Sequence, residues 1–494
     1  MHYPTFEMFE SLASRGNLIP VYREILADTE TPLSVLMKLS GRPYAFLLES
    51  VEGGEKWGRY TFIGADPRII FQVEGEDVLI TENSVPRRIQ HQGDPMRILK
   101  ELLDDCKPVP VPGLPRFYGG AVGFLGYDMV RYFERLPSGS KEELGTPDAV
   151  FMITDTFMIF DNARHTMKIV ACAKVDEGGD LRKVYDSCID KINQLHQIVK
   201  APLSQNKSKV SGNHVSLRSN MSEDDFHSMV VRAKEYIAAG DIIQAVLSQR
   251  FEIENNLDPV DLYRALRFVN PSPYLFFLKM EDFYLIGSSP EVMVRLEEGV
   301  VELRPIAGTR RRGKDEQEDR KLADELLEDP KERAEHVMLV DLGRNDLGRI
   351  AEIGTVQVNQ LMTVERYSHV MHLVSNVQAQ LLPGKSAFDV LRATLPAGTL
   401  SGAPKVRAME IIEELEPAHR GPYGGAVGYF SFTGNMDFGI TIRTLMIKDG
   451  RTFIQAGAGI VADSDPKLEY QETLNKAEGM LKAVRIAAAD FELM

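Results

Sequence analysis

Cysteine is scarce in this sequence, and long apolar runs are missing. The three cysteines, Cys106, Cys172 and Cys188, are widely spaced and form no Cys-X-X-Cys pair. Such a set excludes a disulfide framework and indicates a reducing compartment, so we expect a cytoplasmic protein. No apolar stretch is long enough to span a bilayer, and the first residues, MHYPTFEMFE, lack the apolar segment of a signal peptide. We therefore expect no membrane association.

Positive charge is also in short supply. Lys and Arg number 57 against 72 Asp and Glu, which gives a formal net charge of -15. The compact basic run Arg310–Arg312 is too short to offset this balance, so no nucleic-acid partner is expected. A small anionic substrate would need Arg, Lys or a metal ion close to it. The 494 residues, with a hydrophobic content of 44%, suit two or more globular domains or one large two-lobed one.

A polar segment divides the sequence into two portions. Residues 201–220, APLSQNKSKVSGNHVSLRSN, are rich in Ser and Asn, as linkers often are. They separate residues 1–200 from residues 221–490. Strand-like segments occur on both sides, among them Tyr44–Leu48, Arg68–Val73, Phe151–Phe160, Ile243–Ile253 and Tyr274–Lys279. Long helices are expected near 315–347 and 466–488 without regular strand–helix alternation, which predicts an α+β fold.

One short sequence occurs twice. Tyr118–Gly123 and Tyr423–Gly428 both read YGGAVG, although their flanks differ. Glycine pairs of this kind are typical of tight turns that lead into strands. Six residues do not establish a duplicated domain, but they are compatible with two portions built on related plans.

The segment Pro330–Asp346, PKERAEHVMLVDLGRND, predicts an amphipathic helix capped by Asp329. Its apolar stripe consists of Met338, Leu339 and Leu342. Glu335 shares the face of this stripe, so its carboxylate is expected to be buried. Because an unpaired buried carboxylate is costly, Glu335 needs a partner. The helix alone leaves two alternatives open, a salt bridge to a nearby Arg or Lys and a metal ion.

The last predicted helix, Lys467–Ala489, carries a second group of acids. Glu469, Glu472 and Lys476 share one face, and Leu474, Ala477, Leu481 and Val484 form the opposite, core-facing stripe. By itself this is typical of a solvated ion pair. Together with Glu335, it suggests two carboxylates from different helices, and oxygen ligands of this kind are those that Mg²⁺ uses.

Six ordered motifs between residues 220 and 485 resemble those of the chorismate-utilising enzymes. They are RPIAGTRRRG (304–313), Glu335–Asp346, GTLSGAPK (398–405), YGGAVGYF (423–430), QAGAG (455–459) and YQETLNKA (470–477). Among these enzymes, the set is similar to the large subunits of anthranilate synthases. LLES (47–50) and GRYTFIG (58–64) resemble the regulatory portion of the same subunits. The resemblance implies a two-lobed α+β fold of antiparallel sheets and surrounding helices, with a regulatory portion in residues 1–200 and a catalytic domain in residues 221–490.

Two positions distinguish this chain from related enzymes. Isochorismate and salicylate synthases have a water-activating Lys where this chain has Gln244, and aminodeoxychorismate synthase has a nucleophilic Lys in place of Ala307. Gln cannot act as a general base, and Ala offers no nucleophile. The attacking group must then come from solution or from a partner, which suits ammonia. The resemblance therefore favours anthranilate formation from chorismate and ammonia through aminodeoxyisochorismate, with release of pyruvate.

The resemblance also implies roles for individual residues. Glu335 and Glu472 would hold Mg²⁺. The substrate would be bound by Arg443 and Tyr423, by Gly308, Thr309 and Thr399, and by backbone N–H groups of a loop formed by Gly457, Ala458 and Gly459. Glu291 would donate a proton to the leaving C4 hydroxyl, the alternative being a turn-capping carboxylate. His372 would assist pyruvate release, the alternative being a core histidine.

Partners follow from the same resemblance. The sequence contains no Cys in the Gly-rich nucleophile turn of a glutaminase, so a separate glutamine amidotransferase subunit is expected to supply ammonia. Ser50, Pro273, Tyr274 and Leu275 match the allosteric tryptophan site, where the family shows Met in place of Leu275. Two other functions stay open. One is an aminodeoxychorismate synthase component I, and the other is a catalytically silent tryptophan sensor.

Overall fold

The computed structural model describes residues 1–50, 58–137, 141–203, 217–367 and 370–492. Most of the expected linker, residues 204–216, lies outside them. Their helices are α1 (Phe6–Leu12), α2 (Pro32–Leu39), α3 (Pro95–Asp104), α4 (Leu181–Lys200), α5 (Glu223–Ala239), α6 (Pro259–Val269), α7 (Glu316–Glu328), α8 (Pro330–Gly348), α9 (Ala387–Thr394), α10 (Lys405–Leu415) and α11 (Pro466–Ala488). Short 3₁₀ helices cover Tyr127–Tyr132 and Gly398–Leu400.

The strands of the first portion are β1 (Leu18–Leu26), β2 (Tyr44–Glu49), β3 (Tyr60–Ala65), β4 (Ile69–Glu74), β5 (Asp77–Glu82), β6 (Val85–Gln90), β7 (Gly120–Leu125), β8 (Ala149–Thr154), β9 (Thr156–Asp161) and β10 (Thr166–Lys174). Those of the second are β11 (Leu217–Ser219), β12 (Gln244–Glu254), β13 (Tyr274–Met280), β14 (Phe283–Ser289), β15 (Val292–Glu297), β16 (Val300–Leu303), β17 (Ile306–Arg311), β18 (Gln357–Arg366), β19 (Val370–Gln380), β20 (Gly402–Ala403), β21 (Ala426–Ser431), β22 (Met436–Ile440), β23 (Thr444–Lys448) and β24 (Arg451–Ile460).

Two antiparallel sheets of 12 strands each form the framework. Sheet A has the order β1-β10-β9-β3-β2-β13-β14-β23-β24-β12-β11, with β20 paired to β12. Sheet B has the order β17-β19-β16-β15-β22-β21-β7-β8-β4-β5-β6, with β18 paired to β19. The expected α+β fold of antiparallel sheets with surrounding helices is confirmed. Because β2 pairs with β13 and β7 with β21, both sheets combine strands from before and after the linker.

The strand order on the two sides of these junctions is related. From the junction outwards, sheet A reads β2, β3, β9, β10 on one side and β13, β14, β23, β24 on the other. Sheet B reads β7, β8, β4, β5 and β21, β22, β15, β16 in the same way. The two YGGAVG segments lie side by side at the centre of sheet B, where Gly123 pairs with Gly428. The two portions are therefore built on related plans, joined by an approximate twofold relation.

The glycines at this centre are required by close packing of strands. A Cβ on Gly123 would lie 1.9 Å from the carbonyl oxygen of Val150, and one on Gly428 would lie 2.0 Å from that of Asp437. No larger residue fits at such distances. The repeated sequence thus marks the closest contacts between neighbouring strands.

Aromatic side chains fill the space between the two sheets. Phe46 and Phe276 of sheet A and Phe124, Phe151 and Phe438 of sheet B belong to one buried cluster. A second cluster lies between the other face of sheet A and α2, α4, α6 and α11. Burial of this apolar area is the main stabilising contribution to folding.

Several predicted elements are confirmed, and one needs correction. Helix α5 begins at a capping box formed by Ser222 and Asp225 and ends at the left-handed Gly240, as its sequence predicts. The segment Phe151–Phe160 is not one strand but two, β8 in sheet B and β9 in sheet A. The chain changes sheets at Asp155, and both strands are buried on both faces, so the apolar run is continuous across the break. The helical region near 315–347 is also divided, since Asp329 ends α7 and caps α8.

Candidate functional site

The predicted substrate and metal residues lie on β17, β19 and β24, in the second turns of α8 and α11, and in the segments that carry Glu291, Thr399, Tyr423 and Arg443. Gly308 and Thr309 lie in β17, opposite His372 in β19. The expected loop of Gly457, Ala458 and Gly459 is part of β24. Ala458 is fully buried in a hydrophobic cluster, so its backbone alone can face a ligand. This arrangement joins segments that are far apart in sequence, since 164 residues separate Gly308 from Glu472.

His372 is held in one tautomer by the strand opposite it. Its Nδ1 lies 2.9 Å from the carbonyl oxygen of Gly308 and 3.1 Å from Oγ1 of Thr309. Because a carbonyl can only accept, Nδ1 carries the proton, and Nε2 of the neutral ring is left as a base. Burial lowers the pKa of His372, so the neutral form is favoured. The alternative of a core histidine does not fit, since the ring is only half-buried.

A bulge in β17 shapes the backbone beside this histidine. The register between β17 and β19 shifts between Ala307 and Thr309, and Gly308 has a φ of +65°. A Cβ at Gly308 would lie 3.0 Å from both Glu332 Oε2 and Leu326 Cδ1. Glycine therefore permits the bulge that directs the Gly308 carbonyl towards His372.

Glu291 and Thr399 are brought together across 108 residues. Thr399 Oγ1 donates a hydrogen bond of 2.9 Å to Glu291 Oε2. Burial raises the pKa of Glu291, although Thr399, Lys476 and Arg443 act in the opposite direction. A carboxyl group in this state is suited to donate a proton. The carboxylate binds Thr399 and caps no backbone N–H of a turn in the described chain, unlike the turn-capping alternative.

Arg443 is a cation without an anionic partner among the described residues. Its Nη1 donates to the carbonyl oxygen of Lys476 at 2.7 Å, and no carboxylate of the described residues lies within ion-pair distance of it. Burial lowers the pKa of Arg443, while the nearby charges of Glu291 and Glu472 raise it. Its φ of +51° is a strained conformation for a side chain of this size. Such a buried, uncompensated guanidinium is suited to bind a carboxylate.

Tyr423 lies over β24 where the strand has no side chain. A Cβ on Gly457 would be 2.8 Å from the Tyr423 hydroxyl oxygen and 2.9 Å from the Leu247 carbonyl oxygen. Burial raises the pKa of Tyr423, the charge of Arg443 lowers it, and the charge of Glu291 raises it. Tyr423 therefore contacts β24 at Gly457 and lies close enough to Arg443 and Glu291 for their charges to affect its pKa.

Glu335 has no salt bridge to any described residue. Burial and the charges of Glu332 and Glu472 raise its pKa, whereas Lys331 and Lys476 act in the opposite direction. The salt-bridge alternative for Glu335 is therefore not observed. The predicted stripe needs correction, because Met338 and Leu342 are only half-buried. The buried face consists of His336, Leu339, Val340, Gly343, Asp346 and Leu347. Glu335 lies at the edge of that face, because α8 packs against β17 and β19 on one side.

Two further acids belong to this group and were missed as ligands in the sequence. Glu469 is 9% exposed, and burial and the charge of Glu472 raise its pKa. Glu332 forms a 3.0 Å ion pair with Arg310, and Glu472 forms a 2.6 Å ion pair with Lys476. The signal in the sequence was spacing, since Glu332 and Glu469 each precede a predicted ligand by three residues. The charges of Glu332 and Glu472 act on Glu335, and that of Glu472 acts on Glu469, although no three of these four carboxylates bring their oxygens within 4.8 Å of one another. Carboxylate oxygens are the ligands that a hard divalent cation prefers.

A different group of side chains has ligand atoms close enough together to hold a metal ion. Asp128, Glu413 and His419 present one ligand atom each within 4.8 Å of one another. Arg131 already forms ion pairs with Asp128 and Glu413. Because this cation neutralises the group, it does not compete with the acids of α8 and α11 as a metal site.

The four residues matched to an effector site lie at a second location. Ser50, Pro273, Tyr274 and Leu275 line one cavity at the junction of β2 and β13. Its polar groups Arg116, Arg295 and Asp437 come from three distant segments, and no sequence motif pointed to them. Asp437 accepts hydrogen bonds from Tyr274 at 2.6 Å, from Arg116 at 2.7 Å and from Arg295 at 2.9 Å.

Comparison with known proteins shows the family of the chain. The model of a family described as chorismate binding enzyme matches residues 44–482. The chain is 49% identical to anthranilate synthase component 1 of Acetivibrio thermocellus, covering 99% of both chains, and 48% identical to that of Pseudomonas putida, covering 97% and 98%. The crystal structure of anthranilate synthase component I from Streptococcus pneumoniae TIGR4 superposes with a TM-score of 0.75 at 39% identity, covering 92% of this chain and 98% of that one. None of the described helices is long and apolar enough to cross a membrane.

Proposed function

This chain belongs to the chorismate-binding enzyme family and, within it, to the anthranilate synthase component 1 proteins, and from that premise we propose its reaction. Chorismate and ammonia are converted to anthranilate and pyruvate by way of aminodeoxyisochorismate. The observation that carries the proposal is the buried guanidinium of Arg443, which has no anionic partner among the described residues and lies beside an acid and a cluster of carboxylates.

Arg443 and Tyr423 bind the enolpyruvyl carboxylate of the substrate. The guanidinium fork matches a carboxylate, and the ligand supplies the negative charge that Arg443 lacks in the protein. Gly308, Thr309 and Thr399 line the ring, and the backbone at Gly457, Ala458 and Gly459 lies beside it. Absence of side chains at Gly457 and Gly459 lets Tyr423 and Gln244 pack closely against β24.

Glu291 and His372 perform the proton transfers. Ammonia adds at C2 of the ring, the two ring double bonds shift, and the C4 hydroxyl leaves as water with the proton of Glu291. The raised pKa of Glu291 keeps that proton available. His372 then assists loss of pyruvate by taking the C2 proton on Nε2, for which its neutral state and fixed tautomer are suited.

The acids of α8 and α11 are suited to a magnesium ion. Glu335 and Glu472 would hold it, and Glu332 and Glu469 would complete the negative field around it. When bound, Mg²⁺ supplies positive charge next to the ring carboxylate of chorismate, which explains how an acidic protein can bind a dianion.

Two partners complete the proposal. A glutamine amidotransferase subunit supplies ammonia, in keeping with the component 1 name of the relatives. L-Tryptophan inhibits by binding in the cavity of Ser50, Pro273, Tyr274 and Leu275. The cytoplasm is the proposed location, since Cys106, Cys172 and Cys188 are buried free thiols.

The test is to mix the purified chain with chorismate, Mg²⁺ and excess ammonium and to record anthranilate fluorescence and pyruvate. Equal amounts of both products are expected. An aminated product without pyruvate would instead identify an aminodeoxychorismate synthase. Tryptophan binding without any turnover would identify a silent sensor.

A further inference from the structure

One arginine is buried beside the proposed active site with most of its donors in use. Arg420 is 2% exposed and follows α10 closely in sequence. Its Nε and Nη2 donate to Glu416 at 2.8 and 2.6 Å, and Glu416 is 5% exposed. A buried ion pair carries a desolvation cost that a well-packed apolar pair would avoid. The segments that this pair holds together give a reason for its presence.

The other donors of Arg420 bind two segments of the substrate site. Nη1 donates to the carbonyl oxygen of Leu400 at 2.6 Å, and Nη2 donates to that of Val246 at 2.6 Å. Leu400 directly follows Thr399 in the short 3₁₀ helix. Val246 lies in β12, opposite Gly459 of β24. One planar guanidinium thus fixes the spacing between the Thr399 turn and the strand that supports the β24 backbone.

Glu416 extends the same network along β12. Its Oε1 accepts hydrogen bonds from the backbone N–H and the hydroxyl of Ser248, at 2.7 and 2.9 Å. Ser248 lies opposite Gly457, the glycine against which the Tyr423 hydroxyl packs. The ion pair is therefore attached to β12 at the two positions that pair with the glycines of β24.

Tyr423 is attached to the same arginine. Its backbone N–H donates to the Arg420 carbonyl oxygen at 3.3 Å, and its ring centroid lies 5.7 Å from the Arg420 guanidinium carbon. The ring of Tyr127, from the first portion, lies 4.6 Å from that carbon. Hydrogen bonds and two aromatic rings thus hold this side chain in one orientation.

We propose that Arg420 is a positioning residue of the active site, an inference that rests on the proposed function. Its N–H groups bind protein atoms, so it acts on the reaction through the places of Thr399 and Tyr423. Thr399 in turn donates to the Glu291 carboxylate. Burial raises the pKa of Glu291 and the Thr399 hydrogen bond lowers it, so a displaced Thr399 should raise that pKa further.

Arg420→Lys tests the inference, because it keeps the charge and replaces three nitrogen atoms with one. An ammonium group can still pair with Glu416, but it cannot hold the Leu400 and Val246 carbonyls as the planar fork does. We expect kcat/KM for chorismate to fall roughly a hundredfold, the effect of a displacement of about 1 Å in an active site. The alkaline limb of the pH–rate profile should move to higher pH, because it reports loss of the Glu291 proton.

Two matched variants accompany that measurement. Thr399→Val removes the hydrogen bond to Glu291 directly and should move the alkaline limb in the same direction. Arg59→Lys changes another arginine that binds one carboxylate through two nitrogens, that of Asp161 in the first portion. It should lower the Tm, as Arg420→Lys does, and leave the pH–rate profile in place, since lost stability alone does not change the pKa of Glu291.

A second variant covers the case in which Arg420→Lys does not fold. Glu416→Gln keeps the guanidinium and both carbonyl partners but weakens the ion pair, so a smaller shift of the alkaline limb in the same direction is expected. An unmoved limb in either folded variant, with anthranilate still formed by the parent chain, overturns the inference. Failure of both variants to fold also overturns it, because the pair would then be purely structural. A parent chain that forms no anthranilate overturns the proposed function itself.

Discussion

Replacing Arg443 by Met should separate substrate binding from stability. In the free protein the guanidinium makes one described hydrogen bond, to the Lys476 carbonyl, and burial already lowers its pKa. Its charge is therefore a cost to the folded chain until an anion arrives. With substrate bound, a charge-assisted pair contributes about 3 kcal/mol, so kcat/KM for chorismate should fall by roughly two orders of magnitude.

Two companion variants sharpen the test. Arg443→Lys keeps the charge without the fork, so it should recover about one order of magnitude of kcat/KM. Arg59 already pairs with Asp161 at 2.8 Å. Arg59→Met should therefore lose about 1 kcal/mol of unfolding free energy and keep its kcat/KM. Steady-state kinetics and urea unfolding give both quantities. If Arg443→Met retained kcat/KM within about threefold of the parent, the assignment of Arg443 to the substrate carboxylate would be wrong.

The other predictions concern the metal, the proton transfers and the effector cavity. Glu335→Gln should abolish turnover through lost metal binding, and near-normal rates at limiting Mg²⁺ would contradict this. Activity requires Glu291 protonated, with a pKa above its usual 4.5, and His372 neutral, with a pKa below its usual 6.5. The rate should therefore fall on the acid side as His372 gains a proton and on the alkaline side as Glu291 loses one, and Glu291→Gln should remove the alkaline limb of the pH–rate profile. Ser50→Phe should relieve tryptophan inhibition with little change in uninhibited turnover, and undiminished inhibition would move the effector site elsewhere.

Local signals in the sequence predicted much of the site. The cap at Asp329 and the capping box at Ser222 fix where two helices begin, because they depend on neighbouring residues alone. The metal roles predicted for Glu335 and Glu472 came from the resemblance to the family, because the apolar stripe predicted for α8 differs from the buried face of that helix. Glu332 and Glu469 each precede one of these two residues by three positions. This spacing could have identified both as further acids near the metal site.

Long-range contacts explain what the sequence could not predict. The break between β8 and β9 at Asp155 could not be predicted, because both strands are apolar throughout. It results from the pairing of β8 and β9 with different sheets. Arg116 and Asp437 lie 321 residues apart, so no local pattern connects them in one cavity. The buried side-chain oxygen of Gln244 has no hydrogen-bond partner among the described residues. This too could not be predicted, because it depends on the packing of β12, β20 and β24.

The twofold relation between the portions has a consequence for the number of chorismate molecules that one polypeptide can bind. In β10, Cys172 comes three residues after Ile169, which pairs with Met158. In β24, Gly457 likewise comes three residues after Ile454, which pairs with Leu445.

Cys172 therefore occupies the counterpart of the Gly457 position, and its thiol donates to the carbonyl oxygen of Tyr118, the counterpart of Tyr423. At this position the second portion has a glycine against which the Tyr423 hydroxyl packs, and the first portion has a buried thiol. Each polypeptide should accordingly convert one chorismate at a time, in the second portion. The first portion would then support the second structurally and bind no substrate of its own.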